Sequence, residues 1–319
     1  MFVLSAVSLV PLAWLIGEST EHAADHTGPG IGGFLNASFG NAPELIIALF
    51  AISDGLPNVV RGSLAGSIVS NLLLVLGVAL AVGGEGRIDR RSLVVQLALV
   101  TLAALLFLVP AVPGFHGNPE RHALLAYSIP VAAVLLVTYL VVTTRGLRRH
   151  SEAHAQAKHE PRPDAWSLPL ALALLGIATV ATAFISEILV HSLDAFAHAA
   201  GLSQFFISVV IVAIVGNAAE HGGAVVIAHR GKMRLATEIA ISSSAQVGLL
   251  VVPAVMLLSL FFSQPLPLSF RPIEVAAIGG AAVIAWITVA DGRSRRWQGF
   301  VLVGVYVLAA IGFGFAGDR

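Results

Sequence analysis

Carboxylates embedded in apolar sequence are the residues of this chain best suited to chemistry. Glu44, Glu187 and Glu220 are the acids that lie well within long apolar runs. A carboxylate at membrane depth is costly unless it is paired or hydrated, so it indicates an ion or proton pathway. Two of them end closely similar motifs, GNAPE at 40–44 and GNAAE at 216–220. A repeated embedded glutamate predicts a functional pair.

Two nearby carboxylates favour cation exchange, because they cannot both stay ionised unless they hold a cation or take up protons. Asn41 and Asn217 precede Glu44 and Glu220 by three residues, so we expect each Asn on the helical face of its Glu. Amide, carboxylate and freed carbonyl oxygens are the ligands that Ca²⁺ prefers. The sequence therefore predicts a metal site of Glu44, Glu220, Asn41 and Asn217. The chain has no cysteine, which excludes thiolate catalysis and cysteine-ligated metal sites.

A second polar set lies in otherwise apolar helices. Small hydroxyl residues let helices approach closely, which accounts for part of the set. Asn71 and Gln246 are too large for that role, so we interpret them as hydrogen-bond partners of the glutamates or as further ligands. Glu187 follows Ser186 late in an apolar run, and it is either part of the ion or proton pathway or an interfacial acid at a helix end. The predicted cation and proton site thus adds Ser67, Ser70, Asn71, Ser243, Gln246 and Glu187 to the four metal ligands.

The elements that must position these residues are membrane-spanning helices. The chain of 319 residues is 57% hydrophobic and 11% charged, whereas soluble domains are about a quarter charged. A helix needs about 20 apolar residues to span a bilayer. The sequence predicts an all-α polytopic membrane protein with ten transmembrane helices, at 1–17, 30–53, 63–84, 92–112, 123–144, 167–191, 203–229, 236–262, 272–290 and 298–316.

An internal repeat organises these spans. The second motif follows the first by 176 residues, and the same offset pairs GSIVSNLLLVLG (66–77) with SSSAQVGLLVVP (242–253). The repeat predicts two five-helix units, 1–144 and 167–319, joined by a linker at 145–166. Five spans per unit give the two units opposite orientations, and inverted repeats are typical of secondary transporters.

Basic residues predict the orientation. Fourteen Lys and Arg residues fall in the loops on one face and four on the other. The face with more basic residues is normally cytoplasmic, which places the 145–166 linker in the cytoplasm and both termini outside. The first span begins at Met1, and we favour the interpretation that an upstream helix is missing over that of an ordinary first helix. Zero net charge gives no basic field that would attract nucleic acid.

The chain resembles the calcium/proton exchanger (CAX) family of the calcium/cation antiporter superfamily. The resemblance rests on five ordered blocks: GNAPELIIALFAI, GSIVSNLLLVLG, SEILV, GNAAEH and SSSAQVGLLVVP. It implies a core of two inverted five-helix repeats, usually preceded by one additional helix. It also implies that Glu44 and Glu220 bind the cation and carry protons, that Asn41, Asn217, Ser70 and Gln246 line the site, and that Glu187 belongs to the pathway. Pro43 and the basic linker depart from the family's pattern.

The sequence thus predicts a secondary antiporter that exchanges cytoplasmic Ca²⁺ for external protons around a midplane site. Sodium/calcium exchange, or exchange of Mn²⁺, K⁺ or Na⁺ for protons, stays open on the same fold. An intramembrane hydrolase is disfavoured because the chain has no HExxH motif, so we expect no enzyme activity. We expect no cofactor beyond the transported ions, an integral location in a prokaryotic inner membrane, and the lipid bilayer as partner. Oligomeric state is left open.

Overall fold

The computed structural model describes residues 1–116, 118–119, 121–154 and 165–318, and for residues 28–34, 36–37 and 146–154 it describes the backbone alone. These ranges are mostly helical, as expected for a backbone in lipid that must satisfy its own hydrogen bonds. Short loops join the helices, which are α1 (Phe2–Phe39), α2 (Ala42–Ser53), α3 (Pro57–Val69), α4 (Leu76–Gly83), α5 (Arg90–Gly114), α6 (Leu125–His154), α7 (Leu168–His191), α8 (Leu193–Ala200), α9 (Gln204–Phe206), α10 (Ala213–Gly216), α11 (Ala218–His229), α12 (Met233–Gln246), α13 (Val252–Ser259), α14 (Pro272–Val289) and α15 (Arg296–Ala316).

Wider π-helical turns interrupt three of these stretches. Ser70–Val75 joins α3 to α4, Ile207–Val212 joins α9 to α10, and Val247–Val251 joins α12 to α13. Such turns frequently occur at functional sites. Two of the three lie at the polar residues that the sequence singled out, since Ser70–Val75 contains Asn71 and Val247–Val251 follows Gln246 directly.

Eight helices in the described ranges are long and apolar enough to cross a membrane. They agree with eight of the ten predicted spans, to within a few residues at most ends. The eight are Phe2–Thr27, Pro57–Gly83, Arg90–Gly114, His122–Arg145, Leu168–His191, Met233–Ser259, Pro272–Val289 and Arg296–Ala316.

The predicted span 30–53 runs differently from the expectation. Helical hydrogen bonding continues through α1 to Phe39, across residues that the sequence predicted as a loop, and then breaks at Gly40 and Asn41. The polar segment stays helical partly because Glu18 and His22 pair one turn apart, at 3.5 Å. Phe39 packs against a cluster that contains Ile16, although 23 residues of straight helix would separate them by about 35 Å. The chain therefore bends back towards the first span before it reaches the break.

The predicted span 203–229 is also divided. Its first part ends at Gly216, Asn217 breaks the helix, and α11 follows. The preceding helix α8 meets the Gln204–Gly216 stretch at 114°. Gly201 makes this bend with a left-handed φ of 66°, which glycine adopts without steric cost.

The breaks at Asn41 and Asn217 have nearly the same geometry. Asn41 has φ −99° and ψ 15°, and Asn217 has φ −94° and ψ 12°. Each Asn caps the helix that follows, and the motif glutamate lies in the first turn of that helix. The sequence predicted each Asn on the helical face of its Glu; the structure places each Asn at the N-cap position, directly before the helix that holds the Glu.

Two stretches form the centre of the bundle. Of the 18-residue apolar stretch in each helix, 78% of the residues are buried in Pro57–Gly83 and 67% in Met233–Ser259, whereas 22% are buried in Arg296–Ala316. Gly66 lets α3 approach the second half closely, because a Cβ at this position would lie 2.7 Å from the carbonyl carbon of Val209. The central helices are those that carry the second polar set.

Helices α1 and α7 pack against each other in antiparallel fashion at the side of this centre. Phe2 stacks on Phe196 beyond one end of α7, at 4.5 Å between ring centroids. His22 stacks on Trp166 beyond the other end, at 4.3 Å. The backbone N–H of Trp166 also donates to Nδ1 of His22, so the segment that follows the linker is held against the first span.

A two-stranded antiparallel ladder joins the two halves at one face of the bundle. Strand β1 (Gly86–Arg87) pairs with β2 (Arg293–Ser294). The Ser294 hydroxyl also donates to the carbonyl of Gly84 at 2.9 Å. The loop after α4 and the loop after α14 therefore form one connected surface.

Candidate cation and proton site

Glu44 lies in a closed pocket. It is in the first turn of α2, where Pro43 fits because the first N–H groups of a helix need no partner inside it. The side chain is 6% exposed, and neither carboxyl oxygen has a hydrogen-bond partner among the described residues. A very small cavity of about 10 Å³ adjoins it, lined by Glu44, Ile47, Ser63, Ser67, Val212 and Gly216 among others.

Glu220 lies in an open cleft. It is in the first turn of α11, the position that corresponds to Glu44, but it is only half-buried. Its Oε2 accepts a hydrogen bond from the Ser243 hydroxyl. The cleft has a volume of about 440 Å³. We call it the Glu220 cleft, and its lining includes Trp14, Glu18, Gly40, Glu220, Ser243 and Gln246.

The two motifs meet in the centre of the bundle. A Cβ on Gly216, which belongs to the second motif, would lie 3.3 Å from Cγ of Glu44 in the first. Glu220 ends that second motif, so Glu44 and Glu220 belong to the same central region. Both stand at helix N-termini, where the backbone dipoles favour a negative charge. The site therefore combines one closed and one open carboxyl group.

The motif asparagines link the halves through side-chain amides. Nδ2 of Asn41 donates to Oε1 of Gln246 at 2.9 Å. Nδ2 of Asn217 donates to the Ser67 hydroxyl and to the carbonyl of Ala213, both at 2.8 Å. Asn41 and Asn217 are almost fully buried, so these contacts fix the direction of each amide.

Asn71 connects the residues around Glu220. Its Nδ2 donates to Oδ1 of Asn217 at 3.2 Å and to the Ser243 hydroxyl at 2.9 Å. Its Oδ1 lies 3.1 Å from Nε2 of His221. The structure thus brings together eight of the ten predicted site residues: Glu44, Glu220, Asn41, Asn217, Ser67, Asn71, Ser243 and Gln246.

Two predicted residues stand apart from this network. Ser70 is buried, but its hydroxyl donates to the carbonyl of Ser67 within its own helix, at 3.2 Å. Glu187 is exposed on α7, and its side chain makes none of the hydrogen bonds of the network. A pathway role for Glu187 stays a prediction.

His221 is a member of the network that the motif comparison left without a role. It is the residue directly after Glu220, where the first motif is followed by Leu45. The sequence signal that could have identified His221 is this mismatch: a polar residue directly after one motif corresponds to an apolar residue directly after the other.

The site offers oxygen ligands to a hard cation. Within the described residues no cluster of three or more His, Cys, Asp or Glu side chains could hold a metal ion. Two carboxyl groups with amide, hydroxyl and backbone oxygens are nevertheless a donor set suited to Ca²⁺ and poorly suited to soft metals.

Known proteins resemble this chain in both sequence and fold. The sequence profile described as "Sodium/calcium exchanger protein" matches residues 1–145 and 170–315. The chain is 38% identical to the Ca(2+)/H(+) antiporter ChaA of Bacillus subtilis, over 98% of this chain and 91% of that protein. It is 35% identical to vacuolar cation/proton exchanger 1 of Arabidopsis thaliana, over 98% of this chain and 72% of that one.

Solved structures agree with the sequence relatives. The structure of native YfkE superposes with a TM-score of 0.84 at 35% identity, over 98% of this chain and 92% of that chain. The sodium-calcium exchanger NCX_Mj superposes with a TM-score of 0.60 at 21% identity, over 97% of this chain and 96% of that chain. At that identity the second likeness concerns the fold alone.

Proposed function

The chain belongs to the sodium/calcium exchanger protein family, in its calcium/proton exchanger branch, and from that premise we propose that it is a secondary antiporter of Ca²⁺ and protons. Its relatives are named as antiporters and exchangers, which are transporters rather than enzymes. One observation carries the proposal: the buried Glu44 lies against Gly216 of the second motif, and Glu220 of that same motif opens to a cleft.

The physical cost of buried charge explains the exchange. Glu44 has no hydrogen-bond partner among the described residues, so its charge must be neutralised by a proton or by a cation. The same choice applies to Glu220, since two nearby carboxylates repel each other. A cation that binds both carboxylates displaces their protons, and protons that return displace the cation. When the site alternates between its inward-facing and outward-facing states, the cation therefore moves in one direction and protons move in the other.

We propose Glu44, Glu220, Asn41 and Asn217 as the ligands of the transported cation. The nitrogen of Asn41 donates to Gln246, so its amide oxygen is the atom that would meet a cation. The oxygen of Asn217 accepts from Asn71 and keeps a second lone pair for a cation. Four further predicted site residues of the network, Ser67, Asn71, Ser243 and Gln246, would hold the ligands in place.

We propose that ten spans in two inverted five-helix repeats, 1–144 and 167–319, build this site. The eight long helices supply most of them. Ala42–Ser53 with the helical segment before it would make the second span, and Gln204–His229 the seventh. The matching dihedral angles at Asn41 and Asn217 support this arrangement. Of the proposed linker 145–166, residues 155–164 lie outside the described residues.

We propose that the Glu220 cleft opens towards the cytoplasm of a prokaryotic cell, across its inner membrane. The cleft reaches Ile227 and Ile239, which flank the loop with Arg230, Lys232 and Arg234. That loop is on the face with fourteen basic residues, and such faces are normally cytoplasmic. The linker would share this face, and both termini would lie outside.

Everted membrane vesicles with an acidic interior test the exchange. In such vesicles the cytoplasmic face points outwards, so added Ca²⁺ should enter and dissipate the proton gradient. We expect Glu44→Gln and Glu220→Gln each to abolish Ca²⁺ uptake and dye recovery together, because neutral amides cannot exchange protons for the cation. Glu85→Gln is the matched control, since it makes the same change at an exposed loop position.

Other outcomes would replace parts of the proposal. If Ca²⁺ enters only on a sodium gradient, the protein is a sodium/calcium exchanger on the same fold. If only Mn²⁺, K⁺ or Na⁺ dissipates the proton gradient, Ca²⁺ is the wrong substrate. If both glutamine variants transport Ca²⁺ as well as Glu85→Gln, the two glutamates are not the carriers.

A further inference from the structure

The surroundings of Glu44 and Glu220 differ at positions that the repeat pairs with each other. The offset that pairs Glu44 with Glu220 also pairs Leu45 with His221 and Asn71 with Val247. Two polar residues thus correspond to apolar residues at the equivalent positions of the repeat. Both His221 and Asn71 lie on the Glu220 side of the site, and they contact each other.

The hydrogen bonds of Asn71 determine the roles of its neighbours. Its nitrogen donates to Asn217 and Ser243, so its oxygen is the acceptor that faces His221. An amide oxygen cannot donate, which means that Nε2 of His221 must carry the hydrogen. The contact is therefore an N–H donor of His221 and a carbonyl acceptor of Asn71, at 3.1 Å.

The chain of donors ends at the carboxyl group. Ser243 accepts from Asn71 and gives its single hydroxyl hydrogen to Glu220. Asn217 accepts from Asn71 while its own nitrogen donates to Ser67 and Ala213. The bond directions from His221 to Glu220 and Asn217 are thus all mutually consistent when Nε2 of His221 carries a hydrogen.

No comparable chain reaches Glu44. Its carboxyl oxygens have no hydrogen-bond partner among the described residues, and the positions that match His221 and Asn71 hold Leu45 and Val247. The carboxyl group of Glu44 adjoins a cavity instead. The two glutamates therefore have equivalent positions in the repeat but different hydrogen-bonding surroundings.

We propose that His221 and Asn71 are positioning residues that hold Glu220 and Asn217 in the geometry that binds the cation. Glu220 is then the fixed ligand, and Glu44 is the carboxyl group that reorients as protons and cations exchange. This inference rests on the proposed function, because it assigns unequal tasks to the two carriers of that function.

The test replaces each residue by its counterpart from the other half. His221→Leu removes the first donor of the chain, Asn71→Val removes the residue that passes it on to Asn217 and Ser243, and His221→Gln keeps an N–H donor in place of Nε2. In reconstituted vesicles we expect both apolar variants to raise the KM for Ca²⁺ by roughly 5- to 150-fold, the factor expected when a buried polar group loses its partner. The maximal rate should change much less. His221→Gln should restore the wild-type KM.

Control measurements separate positioning from general stability. Val247→Ala, at the position that matches Asn71, removes packing but no hydrogen bond, so its KM should stay at the wild-type value. The double variant His221→Leu with Asn71→Val should raise KM no further than either single variant, because both break the same chain. Equilibrium binding of radioactive Ca²⁺ to the purified variants should show the same ranking as KM.

The outcomes distinguish this inference from the proposed function. If the wild-type protein exchanges Ca²⁺ for protons but His221→Leu and Asn71→Val keep its KM, the positioning role is refuted and the function stands. If His221→Gln is as impaired as His221→Leu, the donor hydrogen is not what matters, and the inference is again refuted. If the wild-type protein shows no such exchange, the proposed function itself fails. Should His221→Leu not fold, the comparison of Asn71→Val with Val247→Ala decides the question alone.

Discussion

Gly66→Ala should disrupt the contact between α3 and the π-helical segment of the second half. A Cβ at this position would lie 2.7 Å from the carbonyl carbon of Val209 and 2.8 Å from Cβ of Ala213. The carbonyl oxygen of Val209 would lie closer still. Carbon atoms normally approach to about 3.5 Å, so the helices would have to separate by at least about 0.8 Å. Because the obstacle is backbone, we expect a loss of about 2–3 kcal/mol in the free energy of unfolding.

The same displacement should weaken transport. Ser67 lies one position after Gly66 and contacts Asn217 at 2.8 Å, and functional geometry must hold within about 0.5 Å. We expect the fraction of the variant that remains folded to show a KM for Ca²⁺ raised by roughly 10-fold or more. Heating in detergent followed by size-exclusion chromatography measures the stability, and uptake into vesicles measures KM.

Gly62→Ala is the matched control one helical turn away. Its Cβ would meet a side-chain atom, Cβ of Ser208, at 3.3 Å, so the required shift is only a few tenths of an ångström. We expect a small loss of stability and an unchanged KM. Equal melting temperatures for Gly66→Ala and Gly62→Ala would refute the close approach on which this reasoning depends.

Two further substitutions probe the centre of the site. Gly216→Ala would place a Cβ 3.3 Å from Cγ of Glu44, so we expect a folded protein with a KM for Ca²⁺ raised several-fold; uptake kinetics identical to wild type would contradict this contact. Gln246→Leu removes the acceptor of Asn41, and we expect a loss of about 1–3 kcal/mol in unfolding free energy. A melting temperature for Gln246→Leu equal to that of the wild-type protein would count against the bond.

The long helices could be predicted from the sequence because lipid imposes a simple rule on them. Runs of about 20 apolar residues are needed to span a bilayer, and Arg90–Gly114 and Arg296–Ala316 follow that rule closely. The rule fails at the polar segment that contains Glu18 and His22. There the helix is held by a local pair and by contact with Trp166, which is 144 residues from His22.

The composition of the site was predictable, but its geometry was not. The motif repeat identified Glu44, Glu220 and their asparagines, because similar residues in two halves imply similar places. The orientation of Asn41 depends on Gln246, which is 205 residues away, and no local pattern contains that contact. The different burial of the two glutamates likewise arises from their surroundings, since the motifs themselves are nearly the same.

The short ladder between β1 and β2 also constrains how the protein is made. Ser294 is bonded to Gly84, 210 residues earlier in the chain, so the first half leaves the ribosome long before its partner strand exists. Domains generally form in the order of synthesis, and until α14 and α15 are inserted the backbone groups of Gly86 and Arg87 lack this pairing. Insertion of α14 and α15 is therefore also the step at which β1 gains its partner strand, and a protein truncated before α14 should reach the membrane without this pairing.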